Sequence, residues 1–307
     1  MKNMLTRRRF LTIFATSMAS AGFPVQASER IGWKGRAMGA EASMQLVGPI
    51  AEPEARSIFR AVEQELARLE RIFSLYQPGS QIVQLNKTGI LKAPSPDILE
   101  VLSLCDALNT ATNGAFDPTI QSLWLAHAEA ATHGRALSSD EKAVAHDNVG
   151  WEHLSFDAGE VRLDRDGCGI TLNGIAQGYV TDQIAALLRQ RGLTDILIDM
   201  GEIAAVGEKR WKVGIATPTG DIADHVILRD RAIATSAPMG TILVPAQRLG
   251  HILDPRQLSE PGYHLVSVSA RSAALADGLS TAFCLMQRAE IETCLTQFAE
   301  TRLETLI

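Results

Sequence analysis

Cysteine is scarce in this 307-residue chain, and basic residues are in the minority. The four cysteines form no C-x-x-C pair, which excludes a thiolate metal centre or a dense disulfide framework. Lysine and arginine total 29 against 35 acidic residues, a net charge of −6, which argues against a nucleic-acid-binding protein. With 46% apolar and 21% charged residues, the composition is that of a globular protein and excludes disorder, collagen and coiled coil.

Several common signatures are also missing. The chain contains neither G-x-G-x-x-G nor a Walker P-loop, and neither H-E-x-x-H nor G-x-S-x-G. A dinucleotide-binding Rossmann domain and the common hydrolase sites are therefore disfavoured. No stretch after residue 28 reaches the ~18 consecutive apolar residues that a spanning helix needs, so we expect no integral membrane protein.

The N-terminus has the features of a bacterial export signal. Residues 1–27 carry four basic and no acidic residues, and a moderately apolar run extends from residue 10 to residue 25. The segment T-R-R-R-F-L (6–11) is typical of a twin-arginine signal, with an ordinary secretory signal as the alternative. We therefore expect a signal peptide over 1–27, a mature domain over 28–307 and a periplasmic location. In that compartment the cysteines at 105, 284 and 294, which lie in apolar helical patterns, are expected to be buried thiols, with a disulfide as the alternative.

Apolar periodicity and turn signals predict a succession of helices and strands. One helix is predicted over 53–73, and a second from Ser95-Pro96 to a left-handed cap at Asn113-Gly114. Strands are predicted at 161–163, 196–199, 211–215, 226–228, 233–235, 241–244 and 265–270, and further helices at 175–191, 277–288 and 291–298. This order predicts one folded unit of the α+β class, with mixed, largely antiparallel sheets flanked by helices.

Two segments have residues suited to phosphate and metal chemistry. Residues 170–179 (I-T-L-N-G-I-A-Q-G-Y) are predicted to run from a strand through an Asn-Gly turn into a helix, whose first N–H groups could bind a phosphate. A turn that merely needs a positive φ is the alternative. In A-D-G-L-S-T-A (276–282), Asp277, Ser280 and Thr281 share one helix face and suit Mg²⁺. The alternative is that Asp277 is only a helix N-cap.

Two further segments offer a base and a pair of hydroxyls. His251, in G-H-I-L-D-P (250–255), is a candidate general base, with a structural hydrogen-bonding role as the alternative. Thr235 and Ser236 lie together at the end of a predicted strand. Lining a polar pocket and closing a turn are both open roles for them.

Seven segments form a recognisable series along the chain. They are R-A-M-G (36–39), F-S-L-Y with L-N (73–76 and 85–86), A-F-D-P-T (115–119), G-I-A-Q-G-Y (174–179), A-T-S (234–236), H-I-L-D-P (251–255) and A-D-G-L-S-T-A (276–282). In this order and spacing they resemble the ApbE family of FAD:protein FMN transferases, over nearly the whole mature chain. Residues 170–179, together with the twin-arginine signal, are most similar to the NosX branch, accessory proteins of nitrous oxide reduction.

The resemblance implies a Mg²⁺-dependent transferase that breaks the pyrophosphate of FAD, moves FMN onto a threonine hydroxyl of a target protein and releases AMP. His251 and Asp277 would be catalytic, and the metal would be held by Asp277, Thr281, Ser280 and the carbonyl of Gly174. The implied FAD contacts are Met38, Tyr76, Ala115, Phe116, Asp117, Thr171, Gln177 and Ile252. The implied acceptor is a membrane-bound flavoprotein with a periplasmic FMN domain, NosR-like in the NosX branch.

The chain departs from the family pattern near the implied phosphates. Thr171 stands where many members have Asp, Asn173 where many have Gly, Gln177 where many have Lys or Glu, and Ala237 where Gly is frequent. One interpretation of these differences is that Thr171 and Asn173 provide neutral hydrogen bonds in place of charged contacts. The other is that the activity of the protein is reduced or altered. Two alternative functions follow, a Mg²⁺-dependent FAD pyrophosphatase yielding FMN and AMP, and a non-catalytic periplasmic flavin-binding maturation factor.

Overall fold

The computed structural model describes residues 30–245, 248–258 and 262–307. The predicted signal peptide and its cleavage site lie outside these residues. The helices are α1 (Glu52–Phe73), α2 (Gln81–Thr88), α3 (Pro96–Ala111), α4 (Gln121–Thr132), α5 (Ser139–His146), α6 (Ala176–Gln190), α7 (Ala273–Phe283) and α8 (Arg288–Leu295). The strands are β1 (Arg30–Ala37), β2 (Ala40–Val47), β3 (Ile90–Lys92), β4 (Leu154–Phe156), β5 (Glu160–Leu163), β6 (Ile196–Asp199), β7 (Ile203–Val206), β8 (Trp211–Ala216), β9 (Ile222–Leu228), β10 (Arg231–Ser236), β11 (Ile242–Val244), β12 (Leu249–Gly250), β13 (Val266–Ala270) and β14 (Arg302–Leu306).

The largest sheet has seven strands in the order β1-β2-β6-β7-β10-β13-β14, and each neighbouring pair is antiparallel. Three smaller antiparallel sheets, β3-β5-β4, β8-β9 and β11-β12, surround it. The predicted α+β class with largely antiparallel sheets is therefore confirmed. In the described part of the chain, none of the helices is long and apolar enough to cross a membrane.

Side chains of the large sheet alternate between two apolar layers. On β6, Ile196 and Ile198 enter the main core beneath the helices, whereas Leu197 enters a second core that Trp211 and Val213 of β8 help to close. This alternation follows from the two-residue period of a strand. The central strands β6, β7, β10 and β13 are consequently buried on both faces, whereas one face of the edge strand β1 is exposed. Each large side chain that leaves water contributes about 1.5–3 kcal/mol.

Two helices, α6 and α7, lie against each other on this sheet. Ser272 caps α7 by accepting a hydrogen bond from the Leu275 N–H. Asp182 of α6 accepts from the Ser272 hydroxyl and from the Ala273 N–H, at 2.7 and 2.8 Å. A carboxylate at a helix N-terminus is stabilised by the helix dipole, so this contact locks the two helices together.

The locally signalled elements were predicted well. The helices expected over 53–73 and from residue 96 are confirmed, and Asn113 and Gly114 have the left-handed φ values of 50° and 78°. The helix expected at 277–288 has wrong bounds, because Ser272 is the N-cap and α7 begins at Ala273, four residues earlier than expected, while α8 begins at Arg288. The cysteines at 105, 284 and 294 are buried and form no disulfide, as expected, and Cys168 is buried as well.

The strand expected at residues 170–172 is wrong. The Asn86 side chain takes the place of a neighbouring strand: its Oδ1 accepts from the Ile170 N–H at 2.7 Å and its Nδ2 donates to the Ile170 carbonyl at 2.8 Å. The Thr171 N–H donates to the carbonyl of Pro118 at 2.9 Å. Because these partners satisfy the backbone, the segment enters α6 as an extended loop.

The contact between α6 and α7 depends on Gly178. A Cβ at this position would lie 2.3 Å from the Ala273 carbonyl oxygen, which is backbone and cannot turn aside. We expect Gly178→Ala to lower the free energy of unfolding by at least about 2 kcal/mol, measured by urea denaturation. Gly79→Ala is the control, since its Cβ would meet nothing within 4 Å, and it is expected to change stability by less than about 0.5 kcal/mol. Equal effects of the two substitutions would contradict the close contact.

Candidate active site

Asp277 lies inside α7, directed at the first turn of α6. Its side chain is buried, and Oδ2 accepts a hydrogen bond from the Gly178 N–H at 3.1 Å. The reading of Asp277 as an N-cap is wrong, because Ser272 occupies that position. A carboxylate facing the start of a helix is stabilised there by the N-terminal partial charge.

Thr281 lies one turn after Asp277 on α7 and contacts Gly174. A Cβ on Gly174 would lie 3.0 Å from Thr281 Oγ1 and 3.1 Å from its Cγ2. Neither Asn173 nor Gly174 has a positive φ, so the reading that this turn merely needs one is wrong. Glycine is needed here for the close approach of the backbone to Thr281. Asp277 and Thr281 therefore both face the segment from residue 174 to residue 178.

Two serines complete this cluster of oxygen atoms. Ser280 Oγ donates to the Asp277 carbonyl oxygen at 3.0 Å and lies 2.8 Å from Ser236 Oγ, at the end of β10. Ser236 Oγ is also 3.4 Å from Thr281 Oγ1. Thr235 points to the opposite face of the sheet, where its Oγ1 lies 2.8 Å from Ser267 Oγ. Of the two adjacent hydroxyls, only that of Ser236 belongs to the cluster.

A buried carboxylate that the sequence reading missed lies near Asp277. Burial and the negative charge of Asp277 raise the pKa of Glu202 well above its ordinary value, and Glu202 Oε2 accepts from the Thr235 N–H at 3.3 Å. Burial also raises the pKa of Asp199 to about 6, against the hydrogen bond that it accepts from the Gly201 N–H. Crowded buried carboxylates hold protons or attract a cation, because neighbouring negative charges repel. An acidic residue shortly after a strand end was the available signal for Glu202.

The donor set fits a hard cation. Within residues 30–245, 248–258 and 262–307, no three His, Cys, Asp or Glu side chains are grouped so that they could hold a metal ion by themselves. The available donors are the carboxylate of Asp277, the hydroxyls of Thr281 and Ser280 and the carbonyl of Gly174. Mg²⁺ is commonly held by one or two carboxylates and takes its other ligands from water and substrate phosphates, whereas Zn²⁺ prefers His and Cys.

Gln177 is the clearest unsatisfied group near this cluster. It is 3% exposed, and its Nε2 has no hydrogen-bond partner in the part of the chain that is described. It lies against Gly201, where a Cβ would come within 2.0 Å of Nε2. A buried donor without a partner costs about 1–3 kcal/mol, so Gln177 is a group that a bound ligand could satisfy.

Glu70, which the sequence reading also missed, connects Met38 with the loop that carries Tyr76. Its Oε1 accepts from the Met38 N–H at 2.9 Å and its Oε2 from Gln77 Nε2 at 3.1 Å. Met38 is buried at the turn between β1 and β2, with a φ of 51°. The Tyr76 side chain is 68% exposed, which leaves an aromatic face available to a planar ligand.

The segment A-F-D of residues 115–117 is buried, next to the extended loop. Asp117 Oδ1 accepts from the Thr119 N–H at 2.8 Å and from its hydroxyl at 2.6 Å, and burial raises the pKa of Asp117. The backbone bond to Pro118 described above holds this segment against Thr171, whose Oγ1 accepts from the Asn173 N–H at 3.2 Å. The structure thus brings two of the implied FAD-contact segments together.

The geometry of His251 defines its tautomer. Nδ1 lies 3.1 Å from the Pro238 carbonyl oxygen and 3.2 Å from that of Thr241. Since a carbonyl only accepts, Nδ1 carries the proton, and the lone pair of the neutral ring is on Nε2. The structural role and the general-base role can therefore coexist on one side chain. Ile252, the next residue, is half-buried against the main core.

Arg256, another residue the sequence reading missed, fastens the His251 loop to the end of α7. Its Nε and Nη2 bond the two carboxylate oxygens of Asp254, each at 3.0 Å, and Nη2 donates to the Leu285 carbonyl at 2.7 Å. The pair is buried and two-pronged, which is the strong form of such a contact. The loop of the candidate base is thus tied to the segment that follows residues 276–282.

The fold and this cluster define a class of protein: an α+β chain whose largest antiparallel sheet ends in a group of carboxylate and hydroxyl oxygens facing a helix start. The ApbE family matches residues 38–307, and the chain belongs to that family.

Individual relatives extend the comparison over most of the chain. A FAD:protein FMN transferase from Vibrio cholerae is 26% identical over 296 residues, which cover 91% of this chain and 88% of the relative. One from Chlamydia muridarum is 27% identical, over 73% of this chain and 74% of its own length. The ApbE protein of Thermotoga maritima has a similar structure, with a TM-score of 0.78 and 25% identity over 91% of this chain and 94% of that one. The flavin transferase ApbE of Vibrio cholerae shares the fold, with a TM-score of 0.74 and 20% identity over 90% of this chain and 93% of its own.

The raised pKa of Asp199 predicts a pH-dependent stability. The pKa of Asp199 in the folded protein is about 6, above the ordinary value of 3.8. The protonated carboxyl therefore contributes to the free energy of unfolding in acid, and this contribution is lost as the pH rises through 6. We expect Asp199→Asn to gain about 1–3 kcal/mol of unfolding free energy relative to the wild type between pH 4.5 and pH 8, measured by urea denaturation. The amide oxygen can still accept from Gly201. Glu54→Gln, at an exposed position of α1, is the control for removing an acidic side chain, and an equal gain in both variants would contradict the assignment.

Proposed function

We propose that this chain is a Mg²⁺-dependent FAD:protein FMN transferase. The observation that carries the proposal is the approach of Asp277 and Thr281, on one face of α7, to the segment from Gly174 to Gly178. Membership of the ApbE family and the full-length relatives named FAD:protein FMN transferase support the same activity.

Asp277, Thr281, Ser280 and the Gly174 carbonyl would hold the Mg²⁺. A bound Mg²⁺ would supply Lewis-acid stabilisation of the negative charge that develops on the pyrophosphate oxygens. The nearby Glu202 and Asp199 favour a cation at this point of an acidic protein, through the electrostatics described above.

The proposed FAD contacts divide by chemistry. Tyr76 offers an exposed aromatic face and Gln177 an unsatisfied amide donor. Met38, Ala115, Phe116 and Ile252 would contribute apolar contacts, and Asp117 and Thr171 have polar atoms on two adjoining segments. Because Thr171 and Gln177 are neutral, they would bind by hydrogen bonds where charged residues are frequent in the family.

The chemical step is a displacement at the phosphorus of the FMN half of FAD. The acceptor threonine oxygen bonds to that phosphorus while the bond from the phosphorus to the bridging oxygen breaks, and AMP leaves with the bridging oxygen. His251 Nε2 takes the threonine proton, which the tautomer fixed by Pro238 and Thr241 allows. Alignment of the threonine with the phosphate provides a further part of the rate.

We propose in addition that residues 1–27 are a twin-arginine signal peptide and that the enzyme works in the periplasm. The T-R-R-R-F-L segment and the absence of acidic residues before residue 28 support this. The similarity of residues 170–179 to the NosX branch supports an acceptor with a NosR-like periplasmic FMN domain, in the maturation of the nitrous oxide reduction system.

Mass spectrometry on the purified protein, incubated with FAD, Mg²⁺ and a NosR-like FMN domain, tests the function. An acceptor that gains FMN supports the transferase. Free FMN and AMP without a modified acceptor would indicate the pyrophosphatase, and intact bound FAD would indicate the non-catalytic maturation factor. Either of these last two results would overturn the proposed transfer to that acceptor.

Removal of the Asp277 charge tests the metal assignment. We expect Asp277→Asn to reduce FMN transfer at least ~100-fold, because the cation loses its only carboxylate ligand in the proposed set. The amide oxygen can still accept from Gly178, so circular dichroism is expected to match the wild type. Asp224→Asn, on the exposed β9 strand, is the matched control. Wild-type activity of Asp277→Asn at saturating Mg²⁺ would refute the assignment.

Replacement of His251 tests the base. We expect His251→Gln to lower kcat about 10²–10⁴-fold and to leave the KM for FAD within about threefold, because proton removal occurs only in the chemical step. His225→Gln, on the exposed side of β9, is the control for the loss of an imidazole. A change confined to KM would instead assign His251 to substrate binding.

A further inference from the structure

Three hydroxyls at the proposed cation site form a continuous series. Ser280 Oγ is 2.8 Å from Ser236 Oγ, and Ser236 Oγ is 3.4 Å from Thr281 Oγ1. Ser280 and Thr281 are neighbours on α7, whereas Ser236 comes from the end of β10. Ser236 therefore joins the two helix hydroxyls from outside their own helix.

The hydrogen bond that Ser280 donates at the end of this series determines which hydroxyl is the donor in each of the others. Ser280 donates to the Asp277 carbonyl at 3.0 Å, and a carbonyl cannot return a proton. Each hydroxyl has a single proton, so Ser280 accepts from Ser236. Because the Ser236 proton is donated to Ser280, Ser236 can only accept a hydrogen bond from Thr281.

We propose that Ser236 is a positioning residue for the cation ligand Thr281. By accepting a hydrogen bond from the Thr281 hydroxyl, Ser236 keeps that O–H directed away from the cation site and leaves the lone pairs of Thr281 Oγ1 for the cation. This proposal rests on the proposed function, because it assumes that Thr281 binds the Mg²⁺. It also gives Ser280 a second task, which is to hold Ser236 in the accepting orientation.

Distance sets the size of the effect. The separation of 3.4 Å between Ser236 and Thr281 is long beside the usual 2.7–2.8 Å of hydroxyl pairs. Loss of one neutral hydrogen bond of this kind is expected to weaken cation binding about three- to tenfold, well short of the loss expected for Asp277→Asn.

The chain provides a matched control one residue away. Thr235 Oγ1 lies 2.8 Å from Ser267 Oγ on the opposite face of the sheet, the same distance as between Ser236 Oγ and Ser280 Oγ. Thr235→Val removes that pair at nearly constant volume. Comparison with Ser236 variants therefore separates the loss of any hydroxyl pair in β10 from the loss of the one at the site.

Direct binding of Mn²⁺, a hard cation that substitutes for Mg²⁺, tests the proposal without any turnover. The full mature protein is titrated with Mn²⁺ alone, and free Mn²⁺ is measured by electron paramagnetic resonance. We expect Ser236→Ala to raise the Kd about three- to tenfold, whereas Ser236→Thr and Thr235→Val stay within twofold of the wild type. Ser236→Val is compared with Ser236→Thr, since the two differ only in methyl against hydroxyl. Urea midpoints are measured for all four variants.

The outcomes separate this proposal from the function on which it rests. Weaker binding by Ser236→Val than by Ser236→Thr, at similar urea midpoints, supports positioning through the hydroxyl. Equal Kd values for Ser236→Ala, Ser236→Val and the wild type, with binding abolished in Asp277→Asn, would overturn the role of Ser236 and leave the metal site standing. If the wild type and Asp277→Asn bind Mn²⁺ equally or not at all, the metal assignment fails, and the role of Ser236 fails with it.

Discussion

The hydrogen bond from the Gly178 N–H to Asp277 Oδ2 is the interaction on which the rest of the site depends. It joins the start of α6 to the middle of α7, two helices that are about a hundred residues apart in sequence. The bond is possible only because residue 178 has no side chain, since a Cβ there would overlap the backbone of Ala273. The close packing of α6 on α7 also brings Thr281 against Gly174. Gly174 and Gly178 therefore set the distance between residues 276–282 of α7 and the loop that leads into α6. The contact between α6 and α7 therefore determines both the packing of the two helices and the position of Asp277 and Thr281.

That geometry has an electrostatic consequence. Asp277 is buried near Glu202, and burial, together with the negative charges of Asp277 and Asp199, raises the pKa of Glu202. The start of α6 offers only a partial positive charge in compensation. The proposed divalent cation would neutralise the excess more completely. Gln177 Nε2, which has no hydrogen-bond partner among the described residues, could likewise donate to a polar atom of a bound ligand.

Local signals predicted most of the secondary structure and the central residues of the site. Pro53 and the Ser95 cap mark the starts of α1 and α3 because helix termini are governed by their own few residues. The loop at 170–172 was mistaken for a strand because its partner is the side chain of Asn86, 84 residues away. Glu70, Glu202 and Arg256 were missed for a related reason. Each acts through contacts with distant segments, and only the folded chain shows what those contacts are.

The loop of His251 shows how such distant contacts assemble a reactive group. Two backbone carbonyls hold its Nδ1 proton, and the lone pair of the neutral ring is thereby on Nε2. An imidazole held in this way would suit the proposed role of a base towards a hydroxyl nucleophile, with the leaving phosphate stabilised separately. Arg256 then ties this loop to Leu285, just after α7, so the orientation of the proposed base and the position of Asp277 depend on the same part of the chain.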